Sequence, residues 1–284
     1  MAENKDCESA KTCSRESCEG CPSKANGQAP SFAAELNKHS RVKKVIGIIS
    51  GKGGVGKSFV CGSLAAALKR KGKEVGIMDA DITGPSIPRM YGLNETAVGN
   101  EDGEIYPVIA KDGTKIISIN VLMDDPTEPV IWRGPVIAGA VKQFWTDVVW
   151  GELDFLLCDM PPGTGDVPLT IFQSLPLDGV ILVTSPQDLV SLIVTKAYRM
   201  AEMMKIPVLG IVENYSWFQC PDCGKRYPLF GESRVEEIAG ELKIPVLAKL
   251  PLEPSFAAGV DSGSFYEREN PYLSDAVELL LRNC

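Results

Sequence analysis

The chain has 284 residues, 44% hydrophobic, 23% charged and 7% aromatic, with 29 Lys and Arg against 37 Asp and Glu for a net charge of -8. That length buries a substantial core without covalent staples, so the nine cysteines are not needed for folding, and the acidic balance counts against nucleic-acid binding. No charged-then-apolar leader opens the chain and no apolar run approaches the ~18 residues of a membrane span, so a cytoplasmic setting without membrane contact is expected, where clustered cysteines are metal ligands or redox groups more often than disulfides.

Residues 1–40 are unlike the rest. Cys7, Cys13, Cys18 and Cys21 lie among Ser, Glu, Lys and Gly, with Phe32 and Leu36 the only large apolar residues after Met1. Such a stretch cannot build a core, and we read it as a flexible tail that orders around a ligand held by its thiols. The fold is expected over 41–284. Val45 to Ser50 is a buried-strand run, followed by a glycine-rich turn and a helix over Ser58 to Lys69, where Leu64, Ala65 and Leu68 keep helical spacing. Further strands are expected at 74–79, 155–159, 179–184, 208–212 and 246–250, with helices at about 135–149, 187–204, 233–242 and 271–282. Residues 105–109 and 116–120, around Asp112-Gly113, predict a small hairpin insertion. Apolar strands alternating with helices give the fold class: α/β, a mostly parallel sheet with helices on both faces. One domain is the better count.

Gly51-Lys52-Gly53-Gly54-Val55-Gly56-Lys57-Ser58 carries the spacing of a phosphate-binding loop. Glycines let backbone N–H groups converge on phosphate oxygens, and the helix that follows presents its positive end. Lys57 can reach the β- and γ-phosphates of ATP, and the Ser58 hydroxyl can ligate Mg²⁺.

Lys52, just after the first glycine, resembles the early lysine of the deviant loop in the MinD, ParA, ArsA and nitrogenase iron-protein group. That resemblance implies a nucleotide-sandwiched dimer in which Lys52 reaches the partner's nucleotide. Two apolar strands ending in carboxylates complete the expected site. Asp159 is assigned to Mg²⁺ through water, Asp81 to the attacking water, and Asp79 to either a supporting ligand or a strand-end cap. The segment 160–166, MPPGTGD, suits γ-phosphate sensing.

Cys220-Pro221-Asp222-Cys223 offers two thiols, fewer than zinc or an iron–sulfur cluster wants. A two-fold dimer doubles them, so that one shared four-iron cluster or one tetrahedral zinc fits. The order of the loop, DADITGPSIPRMYG, DMPPGTGD and ENYSWFQCPDCG resembles the Mrp/ApbC group of nucleotide-binding iron–sulfur cluster carriers, from about Lys43 to Cys284. The resemblance implies slow ATP hydrolysis, a [4Fe-4S] cluster held by Cys220 and Cys223 at a homodimer interface, and delivery to apo iron–sulfur proteins. It further implies that Asn214 hydrogen-bonds adenine, although the group's usual Glu-Asn-Met-Ser is here Glu213-Asn214-Tyr215-Ser216, and that 250–254 closes over the base.

The tail resembles the cysteine-bearing extension of the cytosolic scaffold branch, with a departing Cys-x5-Cys-x4-Cys-x2-Cys spacing, and a second iron–sulfur cluster, zinc or no stable metal stay open for it. Cys61 and Cys158 are expected in the core. A positional switch of the MinD or ParA kind is the rival. It would need a basic amphipathic C-terminal helix, whereas Asp275 to Arg282 is short and not basic. A zinc-stabilised regulator is another.

Overall fold

The computed structural model describes residues 34–82, 84–123, 125, 128, 132–186 and 190–282. Cys7, Cys13, Cys18, Cys21, Cys284 and the first three residues of the helix expected over 187–204 lie outside the described residues.

The N-terminal half runs β1 (Arg41–Ser50), α1 (Lys57–Arg70), β2 (Val75–Asp79), α2 (Ile87–Met90), β3 (Val98–Gly99), β4 (Ile105–Tyr106), β5 (Val108–Ile109), β6 (Lys115–Ile117) and α3 (Gly134–Thr146). It continues with β7 (Glu152–Asp159), α4 (Asp166–Ser174), β8 (Gly179–Thr184), α5 (Val190–Met203), β9 (Val208–Glu213), β10 (Phe218–Gln219) and β11 (Arg226–Tyr227). The chain closes with α6 (Val235–Leu242), β12 (Val246–Lys249), α7 (Pro254–Asp261) and α8 (Ser274–Arg282).

Eight strands form one sheet in the order β12-β9-β8-β1-β7-β2-β6-β5, parallel except where β5 turns back on β6. The near-continuous apolar runs are explained by burial on both sheet faces. Along β1, Val45 and Ile49 join one core with α3 to α6, while Ile46 and Ile48 join the other with α1, α2 and α8. Each fully buried Leu, Ile or Phe contributes roughly 1.5–3 kcal/mol relative to exposure, so the central strands, not the two- and three-residue edge pairs, hold the fold.

Three expectations change. The hairpin around Asp112-Gly113 is no insertion: β6 pairs in parallel with β2 and extends the main sheet. The helix expected to Val149 ends at Thr146, because Val148 bridges Ile105 and Trp150 is fully buried beneath the sheet edge. Residues 34–40, assigned by composition to the tail, lie against the domain. Ala34 N–H bonds Ser174 O at 2.9 Å, Trp145 Nε1 donates to Ala34 O at 2.9 Å, and Asn37 is buried. Ala34 and Leu36 also pack against the core, but two apolar side chains in an otherwise polar stretch are too few for composition to reveal the docking. Cys61 and Cys158 are wholly buried, as expected for small core residues. No helix among the described residues is long and apolar enough to cross a membrane.

Candidate functional site

Parallel pairing brings the carboxyl ends of β1, β2, β7, β8 and β9 to one edge, and Asp79 stands directly beside Asp159 in the register. The loop from Gly51 to Gly56 leaves β1 there and opens α1. Gly56 adopts φ 76 and precedes a helix start that no side chain caps, so the first amides of α1 are presented outward. Gly51 has a different constraint: a Cβ on it would meet Ile193 Cγ2 at 1.9 Å and the Ile193 carbonyl oxygen at 2.9 Å, because α5 lies against the loop. Val55 is buried, whereas Gly53 and Gly54 face solvent.

Lys57 gathers the acidic strand ends. Its Nζ lies 2.5 Å from Asp159 Oδ1 and 3.8 Å from Asp81 Oδ2. The Ser58 hydroxyl donates to Asp159 Oδ2. Burial alone would lower the Lys57 ammonium, but Asp159, Asp81 and Asp79 together raise it, so it stays charged. Burial raises Asp159 and, with repulsion from Asp159, pushes Asp79 well above the ordinary carboxylate range. Asp79 accepts from Asp81 N–H at 3.2 Å, Ile87 N–H at 3.4 Å and the Ser118 hydroxyl at 3.2 Å. These bonds make it the anchor of the 80–87 turn and so favour the strand-end cap among its two expected roles.

Ser58 Oγ and Asp159, with Asp81 across Lys57, gather oxygen donors of the kind Mg²⁺ takes. Lys52 is half-buried, its carbonyl accepting from Ser50 Oγ at 3.0 Å. The 160–166 segment continues alongside the end of β1, with Met160 N–H on Ile48 O and Gly163 N–H on Ser50 O.

β9 delivers the second set of residues to the same edge. Asn214 is 1% exposed; its Nδ2 donates to Val55 O at 3.0 Å and its Oδ1 accepts from Tyr215 N–H at 3.0 Å. In this arrangement Asn214 clamps the loop backbone. Residues 250–252 are stitched beside it through Ser216 N–H to Leu250 O and Leu252 N–H to Trp217 O. Glu213, buried at the strand end, accepts from Ser216 Oγ at 2.7 Å and Ser233 Oγ at 3.0 Å. Sequence reasoning passed over Glu213, though a carboxylate ending an apolar strand is the same signal that picked out Asp79 and Asp159.

Six residues after Asn214 the chain reaches the thiols. β10 and β11 pair antiparallel, and Cys220 N–H bonds Lys225 O at 2.9 Å, so Cys220 and Cys223 sit at the tip of a short hairpin. Cys223 is exposed and Cys220 partly so. Backbone N–H groups of Cys223 and Asp222, then the Cys223 side chain, lower the Cys220 thiol below its ordinary value. Arg226 stacks on Trp217 at 4.8 Å, and Lys225 lies over Tyr227 at 5.2 Å. Tyr227, Leu229 and Phe230 are exposed alongside. No group of three or more metal-binding side chains exists among the described residues. One copy brings two thiols to this tip, Cys220 and Cys223.

The family model described as "NUBPL iron-transfer P-loop NTPase", within ParA, matches residues 41–282. An iron-sulfur cluster carrier protein of Methanocaldococcus jannaschii is 47% identical over 253 residues, covering 87% of each chain. One from Clostridium perfringens is 44% identical over 262 residues, covering 89% of this chain and 92% of that one. Among solved structures, the nucleotide-binding protein of Archaeoglobus fulgidus in complex with ADP, with cobalt found, is similar at TM-score 0.74 and 41% identity, covering 82% of this chain and 91% of its own. The Pyrococcus furiosus cell division ATPase MinD, at 21% identity and TM-score 0.59 over 85% of this chain and all of its own, shares the fold.

Proposed function

The chain belongs to the iron-transfer P-loop NTPase family within ParA, and from that premise we propose that it binds and hydrolyses ATP and carries a [4Fe-4S] cluster between two copies of itself for delivery to apo iron–sulfur proteins. The observation that carries the reading is the course of one segment. The end of β9 places Asn214 on the nucleotide loop and, within ten residues, opens the hairpin that bears Cys220 and Cys223. Nucleotide and thiols are thus served by one short stretch of chain. The names of relatives more than 40% identical over most of the chain point the same way.

In this reading the amides of 51–58 and the Lys57 ammonium bind the β- and γ-phosphates, and release of Lys57 from Asp159 to phosphate frees that carboxylate for a new partner. Ser58 and Asp159 would hold Mg²⁺, which neutralises developing phosphate charge when bound. Asp81 orients the attacking water, and Lys52 supplies positive charge to the partner copy's nucleotide. Asn214 acts at the base side of the loop. Cys220 and Cys223 bind the cluster as cargo, with an equivalent pair from a second copy completing four ligands. Hydrolysis is slow and works as a switch on cluster retention. The tail cysteines Cys7, Cys13, Cys18 and Cys21 offer a second metal site of the same chemistry.

Anaerobic reconstitution of the full chain with iron and sulfide tests this directly. Expected are visible charge-transfer absorption, a four-iron Mössbauer signature, about four irons per dimer from the hairpin site, and loss of that signal in Cys220→Ala. Stoichiometric zinc with no such absorption would overturn the carrier reading in favour of a zinc-stabilised regulator. Lys52→Ala should abolish most ATPase activity while MgATP still binds; unchanged turnover would remove the role across the dimer.

A further inference from the structure

Tyr215 lies between the two halves of the site and has no role in the chemistry above. It holds a left-handed backbone at φ 60, where bulky side chains are rare and which persists only when the surroundings over-determine it. Those surroundings are visible. Asn214 N–H is fixed to Thr184 O and Ser216 N–H to Leu250 O, both at 2.8 Å, so the tyrosine is pinned from both sides.

Its side chain faces the nucleotide loop. A Cβ built on Gly56 would stand 3.0 Å from Tyr215 Oη and 3.4 Å from Cζ, with Asn214 Nδ2 at 2.2 Å. On its other flank the ring meets Phe230, centroids 6.2 Å apart and planes tilted by 53°. Phe230 follows β11 by three residues, and Tyr215 precedes β10 by three. One aromatic ring therefore touches the residue before Lys57 and the far side of the cysteine hairpin. The hairpin is also tied to the body by Trp217 against Tyr272 at 5.9 Å and by Leu252 N–H on Trp217 O.

We propose that Tyr215 is a positioning residue that couples the nucleotide loop to the cysteine hairpin within one copy of the chain. Phosphate entering the loop acts on Gly56 and Lys57. Gly56 has no side chain to absorb a shift, so the ring above it moves with the loop and carries Phe230 and the hairpin along. The left-handed backbone at Tyr215 fixes the ring in that position; an extended backbone there would turn it away. The inference rests on the reading of 51–58 as the ATP site and of Cys220 and Cys223 as the cargo ligands.

The test uses the reduced, full-length chain without cluster, and measures iodoacetamide alkylation of Cys220 and Cys223 by peptide mass spectrometry, with MgATP and without nucleotide. MgATP should change the Cys220 rate about five-fold or more, the size of an ordinary coupling between sites. In Tyr215→Gly, which suits a positive φ, the change should shrink below about two-fold while MgATP affinity stays within about three-fold. Tyr215→Phe, which keeps the ring, should retain the full response, and Phe230→Ala, at an exposed position, should lose it.

A full response in Tyr215→Gly, no response in the unmodified chain, or loss in Tyr215→Phe would each overturn the proposal. Cluster uptake is scored separately. A chain whose alkylation responds to MgATP through Tyr215 but which takes up no iron and sulfide would sink the carrier reading and leave the coupling standing.

Discussion

The nucleotide loop and the cysteine hairpin are both tied to the end of β9, yet they are held by opposite means. At the loop, Lys57 is closed in by Asp159, Asp81 and Asp79, two of them fully buried, and every strand end nearby contributes a backbone bond. At the hairpin, two two-residue strands leave Cys223 exposed and Cys220 partly so, and the side-chain contacts include a stacked arginine and aromatic pairs rather than buried charges. The loop is preorganised inside one chain and gains little from a neighbour for its own order. The hairpin offers two thiols, its flanking Tyr227, Leu229 and Phe230 remain in water, and in the proposed carrier reading it is the part that a second copy would complete.

Substitutions should separate the two regions by size of effect. Lys57→Met ought to be the most severe. It strands buried carboxylates, which costs about 3–5 kcal/mol in urea unfolding, and by calorimetry MgATP affinity should fall roughly 100-fold or more. A mild outcome would mean that the loop is less preorganised than its geometry implies. Gly56→Ala is next, at about 2–4 kcal/mol, from the positive φ and the collision with Asn214. The matching change in the hairpin, Gly224→Ala, carries φ 69 but meets only Gln219 Nε2 at 3.7 Å, and should cost about 1 kcal/mol.

The acidic cluster also gives the loop a pH signature on the acid side of neutral. Asp79 binds its proton more tightly folded than unfolded, because burial and Asp159 raise its pKa. Between the ordinary carboxylate value near ~3.9 and that raised native value, the folded chain holds the extra proton, so stability falls as pH rises through the native value. The nucleotide-free chain should therefore become more stable on mild acidification from neutral, and Asp79→Asn should flatten that slope in thermal melts across pH. Arg226→Ala, which removes the stack on Trp217, should cost about 0.5–1 kcal/mol. Cys220→Ala should change stability by less than about 0.5 kcal/mol while abolishing cluster uptake at the hairpin, the sharpest form of the contrast. A large loss of stability there would show that the hairpin supports the fold.

Most of the sheet was legible because buried parallel strands leave long apolar runs: β1, β2, β7, β8, β9 and β12 fall within a few residues of where the pattern puts them. The loop was legible for a different reason, since phosphate geometry dictates glycine positions. The misread features are set by tertiary contacts that leave little periodicity. β6 is three residues long and is a sheet strand only because β2 lies beside it. The early end of α3 is fixed by burial of Trp150, and the docking of 34–40 by backbone bonds to Ser174 and Trp145. At the site, Lys57, Ser58, Asp81 and Asp159 come together in space from three segments, whereas the bond from Asn214 to the Val55 carbonyl is a contact that no spacing announces. The place of Tyr215 over Gly56 depends on a positive φ that no residue type announces.

The burial of Cys61 and Cys158 bears on how such a molecule would age. Burial pushes the Cys158 thiol up to about 12, and Cys61 well above its ordinary value, so neither supplies the thiolate that peroxides attack. The exposed hairpin does. Thiol oxidation within the described domain is thereby directed to a tip that sulfenic acid or disulfide formation can mark and a reductant can restore, away from the residues around Lys57.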